Sequence, residues 1–245
     1  MNSLKLVNIV RIFLKFHPRN TSTMKVSFQI LCTLVFIFLT NLASAQTFPV
    51  CTDFEEIEPG TTGGWIGTAV DDFGVVSDAT TGNQFLTASD ASGGSSVQGP
   101  APLAGDWNKL LAQGFCLDLC WDVKLVNDGA PTSVASGPTS ITIISGSGQR
   151  ATFNTSTNIS DTDSVGNPTD WYTFCAPIKE LDSNGDLPSN AQGAWSLAPG
   201  EPNSTWTDIL SDVKEIYFKV DFLGSSNISE KWQWDNICLV ESEEC

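Results

Sequence analysis

Short runs of alternating apolar and polar residues recur along most of the chain, each broken after a few positions by Gly, Pro, Asn, Asp or Ser. Alternation with period two is the mark of a strand with one face in a core and the other towards solvent. The clearest run is residues 115–126. Phe115, Leu117, Leu119, Trp121, Val123 and Leu125 share one face, and Cys116, Asp118, Cys120, Asp122 and Lys124 share the other. Residues 215–223 form a second, with Ile216, Phe218, Val220 and Phe222 inward. Further strands are expected at 50–56, 84–88, 139–145, 151–154, 171–176 and 232–240, with turn-rich stretches at 89–99, 127–138, 154–168 and 182–203. Helical periodicity is nearly absent. One short helix at most is expected, over 206–213, leading into the strand that follows. Eight to ten short strands at this spacing predict an all-β, two-sheet antiparallel sandwich of jelly-roll type.

The first 45 residues do not share this pattern. They carry Lys5, Arg11, Lys15, Arg19 and Lys25 and no acidic residue, then an apolar run from Ile30 to Leu39 and a Leu42-Ala43-Ser44-Ala45 site. A positive start, an apolar core and an Ala-x-Ala site read as a secretory signal cleaved after Ala45, and Met24 would begin such a signal by itself. The apolar run is short for a transmembrane span. The expected organisation is therefore a signal over 1–45 and one β-sandwich domain over 46–245, secreted, and possibly part of a longer protein.

Removing the signal changes the charge. The whole chain has a formal charge of −16. The mature part keeps seven basic residues against 28 acidic ones, a formal charge of −21, and loses His17, the only histidine. Nucleic acid is excluded as a partner, since phosphate binding needs a basic surface, and anionic membrane surfaces are disfavoured for the same reason. The lack of a mature histidine removes Ser-His-Asp and Cys-His machinery and the usual zinc hydrolase sites. A carboxylate pair, as in glycoside hydrolysis, is the remaining catalytic route. Among 28 acids some pair always lies at a suitable spacing, so no catalytic residue is assigned. Six mature cysteines, Cys51, Cys116, Cys120, Cys175, Cys238 and Cys245, predict three disulfides, with the connectivity open among 15 possibilities.

Tryptophan marks the candidate ligand contacts. Indole stacks on the C–H faces of sugars, and eight Trp stand against two Tyr. Trp121 shares a core face and Trp65 is expected under the first turn. Trp107, Trp195 and Trp206 sit in polar surroundings and are candidate ligand residues. Trp232 and Trp234 share a strand face with Asn236, and form either an aromatic platform or an inter-sheet contact. The segment Asp182-Ser183-Asn184-Gly185-Asp186 has the opening of a calcium loop, but Leu187 stands where that motif needs Gly, so a turn is expected.

Both ends of the mature chain resemble known extracellular modules. Cys51-Thr52-Asp53-Phe54-Glu55-Glu56 with Gly64-Trp65, and Trp234-Asp235-Asn236-Ile237-Cys238-Leu239, resemble the first and last strands of jelly-roll carbohydrate-binding modules. Gly99-Pro100-Ala101-Pro102-Leu103-Ala104-Gly105-Asp106, Leu110-Leu111-Ala112-Gln113-Gly114 and Ile209-Leu210-Ser211-Asp212-Val213-Lys214-Glu215-Ile216-Tyr217 resemble the laminin IV (laminin B) domain, with Leu103-Ala104 in place of its Phe-Leu. The resemblance implies first and last strands side by side and a structural Ca²⁺ near them, with Asp53, Glu55 and Asp235 as its carboxylates. It also implies a non-catalytic binding or adhesion module for a glycan or matrix component. A structural spacer without a ligand is the alternative.

Overall fold

The computed structural model describes residues 47–91, 94–127, 136–160, 170–220 and 230–242. The signal assigned to 1–45, Phe222 and Cys245 lie outside them. Two antiparallel sheets face each other across an apolar core, the sandwich expected from the alternation. The first sheet joins β3 (Val70–Ser77), β4 (Gln84–Asp90), β13 (Lys231–Glu241), β6 (Leu117–Asn127) and β9 (Tyr172–Ile178) in that order, with β1 (Val50–Thr52) also on β13. The second runs β10 (Ser189–Asn190), β11 (Gly193–Leu197), β8 (Arg150–Ser160), β7 (Ser136–Ser145), β12 (Val213–Lys219), β5 (Ser96–Gly105) and β2 (Ile66–Thr68).

The two clear strands behave as their patterns require. Leu117, Leu119, Trp121, Val123 and Leu125 are all fully buried, as are Ile216, Phe218 and Val220. Phe115 precedes β6 and is half-buried against Phe48, with ring centroids 5.4 Å apart. Trp65 lies between Phe54 and Phe218, at 5.8 and 6.1 Å. It rests on Gly99 of β5, where a Cβ would come within 2.3 Å of the indole, so this strand position has no room for a side chain.

Three expectations need correction. Among the described residues thirteen strands form instead of eight to ten. Several of the stretches expected as turns carry them: β5 begins inside 89–99, β8 continues to Ser160, and β10 and β11 lie inside 182–203. Pairing on both sides overrides Gly and Pro content there, since β5 is held by β12 and β2 and β11 by β8. Among the described residues two short helices form rather than one. α2 (Thr205–Leu210) is the expected one. α1 (Trp107–Ala112) is started by Asp106, whose carboxylate accepts the Lys109 N–H at 3.1 Å.

The first and last strands are adjacent, with Val50, Cys51 and Thr52 opposite Leu239, Cys238 and Ile237. β4 and β1 share one edge of β13, β4 along Lys231–Trp234 and β1 beyond it. Between them β13 gains one residue relative to β6, as Asp235 faces Asp122 but Cys238 faces Cys120. Asn236, at φ 47°, takes the left-handed conformation of this bulge, which Asn tolerates better than most residues. Disulfides join Cys51 to Cys238 and Cys120 to Cys175, and Cys116 is also disulfide-bonded.

Candidate functional site

All five tryptophans expected to meet a ligand are buried, none more than 4 % exposed. Trp107 and Trp206 point from the two helices into the core, donating their indole N–H to Leu103 O and Lys179 O, each at 2.8 Å. Trp195 does the same to Pro177 O at 2.8 Å and packs on Trp206 at 5.1 Å. Trp232 donates to Glu230 Oε2 at 3.0 Å, and Trp234 stacks on Phe218 of the facing sheet at 5.3 Å. For Trp107, Trp195, Trp206 and Trp232 a carbonyl or carboxylate takes the hydrogen bond that the indole would otherwise seek from water, while Trp234 Nε1 is buried without a partner, so polar neighbours in sequence do not keep the ring outside. Trp232 and Trp234 are the inter-sheet contact, not a platform. The half-exposed aromatics include Trp171, edge-on to Phe85 at 5.5 Å, and Tyr217, under Arg150 at 5.6 Å.

The three carboxylates assigned to calcium do not close on one point. Asp53 is exposed, and its Oδ1 accepts only the Glu55 N–H of its own turn, at 3.4 Å. Asp235 is 3 % exposed at the bulge and accepts from Asn83 Nδ2 at 2.8 Å and from Asn236 N at 2.7 Å. Burial pushes its carboxyl up to about 6, helped by the nearby charges of Asp122 and Glu55 and opposed by those two hydrogen bonds. Among the described residues no group of three or more His, Cys, Asp or Glu side chains is placed to hold a metal ion. The expected three-carboxylate site is therefore corrected to at most two of its members, Glu55 and Asp235. A neutral oxygen accompanies them. Gln84, next to Asn83, donates its backbone N–H to Glu55 Oε1 at 3.0 Å and its Nε2 to Glu55 O at 2.8 Å, while its buried Oε1 has no hydrogen-bond partner. A partnerless carbonyl oxygen beside Glu55 suits a hard, oxygen-seeking cation.

The 182–186 segment is a turn. Asp182 Oδ1 accepts the Asn184 and Asp186 N–H groups, both at 2.8 Å, and these bonds hold its carboxyl below the usual range.

The outer faces of the two sheets differ. On the six-stranded sheet Phe85, Thr87, Ser89, Asp235 and Cys238 point away from the core yet are each less than a tenth exposed. On the seven-stranded sheet the register aligns Ile66, Gln98, Tyr217, Thr142, Thr152 and Ser196 side by side across six consecutive strands. Their neighbours in sequence, among them Val97, Ile216, Ile141, Ile143, Ala151 and Trp195, are buried, which places this row on the outside. Gln98 Nε2 donates to Glu215 Oε2 at 2.6 Å, and Thr142 and Thr152 share a hydrogen bond at 2.8 Å. Asn154 Nδ2 donates to Ser196 Oγ at 3.0 Å. Gln98, Tyr217 and Thr152 are half-buried, Ser196, Arg150 and Asn154 exposed and Thr142 5 % exposed, so the row is fixed in place and reachable at all its members but Thr142. Sequence reasoning missed it, although Tyr217 stood at an outward position of a strand it had recognised.

No protein-family model matches the chain, and no curated protein matches it in sequence. Among solved structures it is similar to part of an exo-beta-agarase, with 13 % identity over 78 % of this chain and a TM-score of 0.53. The chain spans about a quarter of that agarase, 25 % of its length. A family 11 carbohydrate-binding module of a Clostridium thermocellum cellulosomal cellulase is 17 % identical over 81 % of this chain and 97 % of its own, with a TM-score of 0.42. The L4b domain of human laminin alpha-2 is 11 % identical over 69 % of this chain and 84 % of its own, with a TM-score of 0.38. Both kinds of module named by the sequence resemblance are among these neighbours.

Proposed function

We propose that this chain is an extracellular, non-catalytic module that binds a neutral polysaccharide across the outer face of the seven-stranded sheet. The observation that carries the reading is the in-register row of Gln98, Tyr217, Thr142, Thr152 and Ser196 with Ile66 at its end. Five inter-strand steps of about 4.8 Å make a strip of roughly 24 Å, long enough for several sugar units. Tyr217 offers a flat apolar face with a polar tip. Gln98, Glu215, Arg150 and the row's hydroxyls supply both donors and acceptors, as sugar hydroxyls require. The formal charge of −21 on the mature part weighs against polyanions. Disulfides support an oxidising, extracellular setting. Matrix glycans and wall polysaccharides both fit this chemistry, and the agarase makes agarose the first polymer to try.

The test is retardation on gels containing agarose, β-glucans or other neutral polysaccharides, followed by calorimetry on any hit. Tyr217→Ala is expected to weaken binding at least tenfold with little change in melting temperature. Loss of binding in Trp171→Ala with Tyr217→Ala unaffected would move the site to the other sheet. No retardation by any neutral polymer would favour a spacer without a ligand.

We also propose a structural Ca²⁺ held by Glu55, Asp235 and the side-chain oxygen of Gln84, supplying positive charge where a buried carboxylate lacks it. Ca²⁺ should raise the melting temperature relative to EDTA, since a ligand of the native state alone adds stability. Equal melting in both would remove the proposal.

A further inference from the structure

Four cysteines stand in one line across four adjacent strands. Cys51 of β1 faces Cys238 of β13, Cys238 faces Cys120 of β6, and Cys120 faces Cys175 of β9. Their sequence neighbours Leu119, Trp121, Ile237, Leu239, Phe174 and Ala176 are buried in the core, so all four side chains project from the outer face of the sheet. The existing bonds join first to second and third to fourth, each across Cα atoms 4.0 Å apart. The middle pair, Cys238 and Cys120, is also directly opposed and has no bond between its sulfurs, but it is the wider, hydrogen-bonded kind of pair, with Cα atoms about 5.5 Å apart. That Cα separation lies within the range of about 4.4–6.8 Å that a disulfide spans. Bonding the middle pair therefore needs side-chain rotation and little strand movement.

From this line we infer that the cysteines form a disulfide relay, in which opening the outer bond transfers the staple inward. Cys51 is exposed and Cys238 is 8 % exposed, so Cys51 Sγ is the accessible sulfur. A dithiol reductant attacks Cys51 Sγ. The Cys51–Cys238 bond breaks, a mixed disulfide forms on Cys51, and Cys238 leaves as a thiolate. That thiolate attacks Cys120 Sγ, forming Cys120–Cys238 and expelling Cys175 as a thiolate, which takes a proton. The reductant's second thiol then attacks its own bonded sulfur, closing a cyclic disulfide and releasing the Cys51 thiol. Overall the dithiol loses two electrons and two protons, and the protein gains two thiols while keeping one bond in the row. The new bond ties β13 to β6, which already pair along Lys231–Glu241. β1, which contributes only three residues to the sheet, loses its covalent tie, and so does the edge strand β9. The relay thus converts a chain whose first strand is locked to its last into one whose first strand is free to leave.

The experiment uses the full chain at neutral pH with about one equivalent of dithiothreitol. Samples are quenched in acid, unfolded, alkylated and mapped as peptides. The expected product has label on Cys51 and Cys175 in equal amounts and a Cys120–Cys238 linked peptide, with faster proteolysis near residues 47–60. Label on Cys51 and Cys238 with Cys120–Cys175 intact would mean two independent bonds and overturn the relay. So would opening of the Cys116 bond alone while the row stays intact. Cys51→Ser offers a reading without reductant. The relay divides its free thiol between Cys238 and Cys175, whereas label on Cys238 alone contradicts it.

Discussion

Replacing Trp206 by Phe separates a structural indole from a ligand-binding one. Trp206 is fully buried in α2, donates to Lys179 O at 2.8 Å and packs against Trp195 at 5.1 Å. Phe keeps an aromatic ring but removes the donor and leaves a buried carbonyl unpaired, at a cost of about 1–3 kcal/mol. The smaller ring also loses buried area and leaves a void, adding about 1–2 kcal/mol. The expected loss is therefore about 2–5 kcal/mol, or a fall in melting temperature of about 4–20 °C for a domain of this size. Urea unfolding monitored by circular dichroism measures it, with an unchanged m-value as the check that the denatured state is not what moved. Trp195→Phe removes the bond to Pro177 O by the same logic. The double variant should show a coupling of about 0.5–1.5 kcal/mol between the two rings. Both folded variants should retain whatever polysaccharide the wild type binds. A stability loss under 0.5 kcal/mol together with abolished binding would refute the assignment and return these tryptophans to the surface.

Asp235 gives a pH dependence whose sign is fixed by its raised pKa. The folded value of about 6 lies above the unfolded 3.8, so the native state binds more protons between them and stability falls as pH rises through that interval, by about 2–3 kcal/mol in EDTA. Melting from pH 4 to 7 should show this fall, Asp235→Asn should flatten it, and Ca²⁺ should cancel it; a wild-type profile identical to that of the variant would contradict the shift. The open edge of β9 is covered by side chains rather than by a strand. Asn190 Nδ2 donates to Cys175 O and Gln192 Oε1 accepts the Cys175 N–H, both at 2.7 Å. The double Ala variant should lose about 1–3 kcal/mol and associate with rising concentration in sedimentation experiments, because an uncovered edge pairs with another chain. A monomer of unchanged stability would show that these amides cap nothing.

Local pattern reached as far as the faces of single strands. The alternation at 115–126 put Trp121 inside, and Cys116, Cys120 and Asp122 outside, because a strand with one dry face writes its orientation into every second residue. β5 carried no such signal. Ser96 to Gly99 fell in the stretch 89–99 expected as turn-rich, and Pro100 and Pro102 interrupt the residues after it; Gly99 is there because Trp65 occupies the space above it, a contact made with a residue 34 positions earlier. The tryptophans misled for a related reason. Asp106-Trp107-Asn108 looked like a polar loop, yet Asp106 is the cap of a six-residue helix that turns Trp107 inward, where Leu103 O receives its N–H.

What a sequence of this kind withholds most completely is register, and the surfaces that matter here are made of register. The outer row of the seven-stranded sheet draws one residue from each of six strands, and Ile66 and Tyr217 meet in it from opposite ends of the domain's sequence. The cysteine line draws one from each of four. Either would dissolve if a single strand slipped by one position, since a slip turns every side chain of that strand to the other face. The bulge at Asn236 performs such a shift within β13. It keeps Trp232 and Trp234 inward and Asp235 outward, then restores Ile237 and Leu239 to the core and Cys238 to the cysteine line. Were Asn236 held in regular alternation instead of the bulge, Cys238 would point inward and Cys51 would have no partner. The one left-handed Asn in the last strand therefore sets both the acidic junction at Asp235 and the staple to β1.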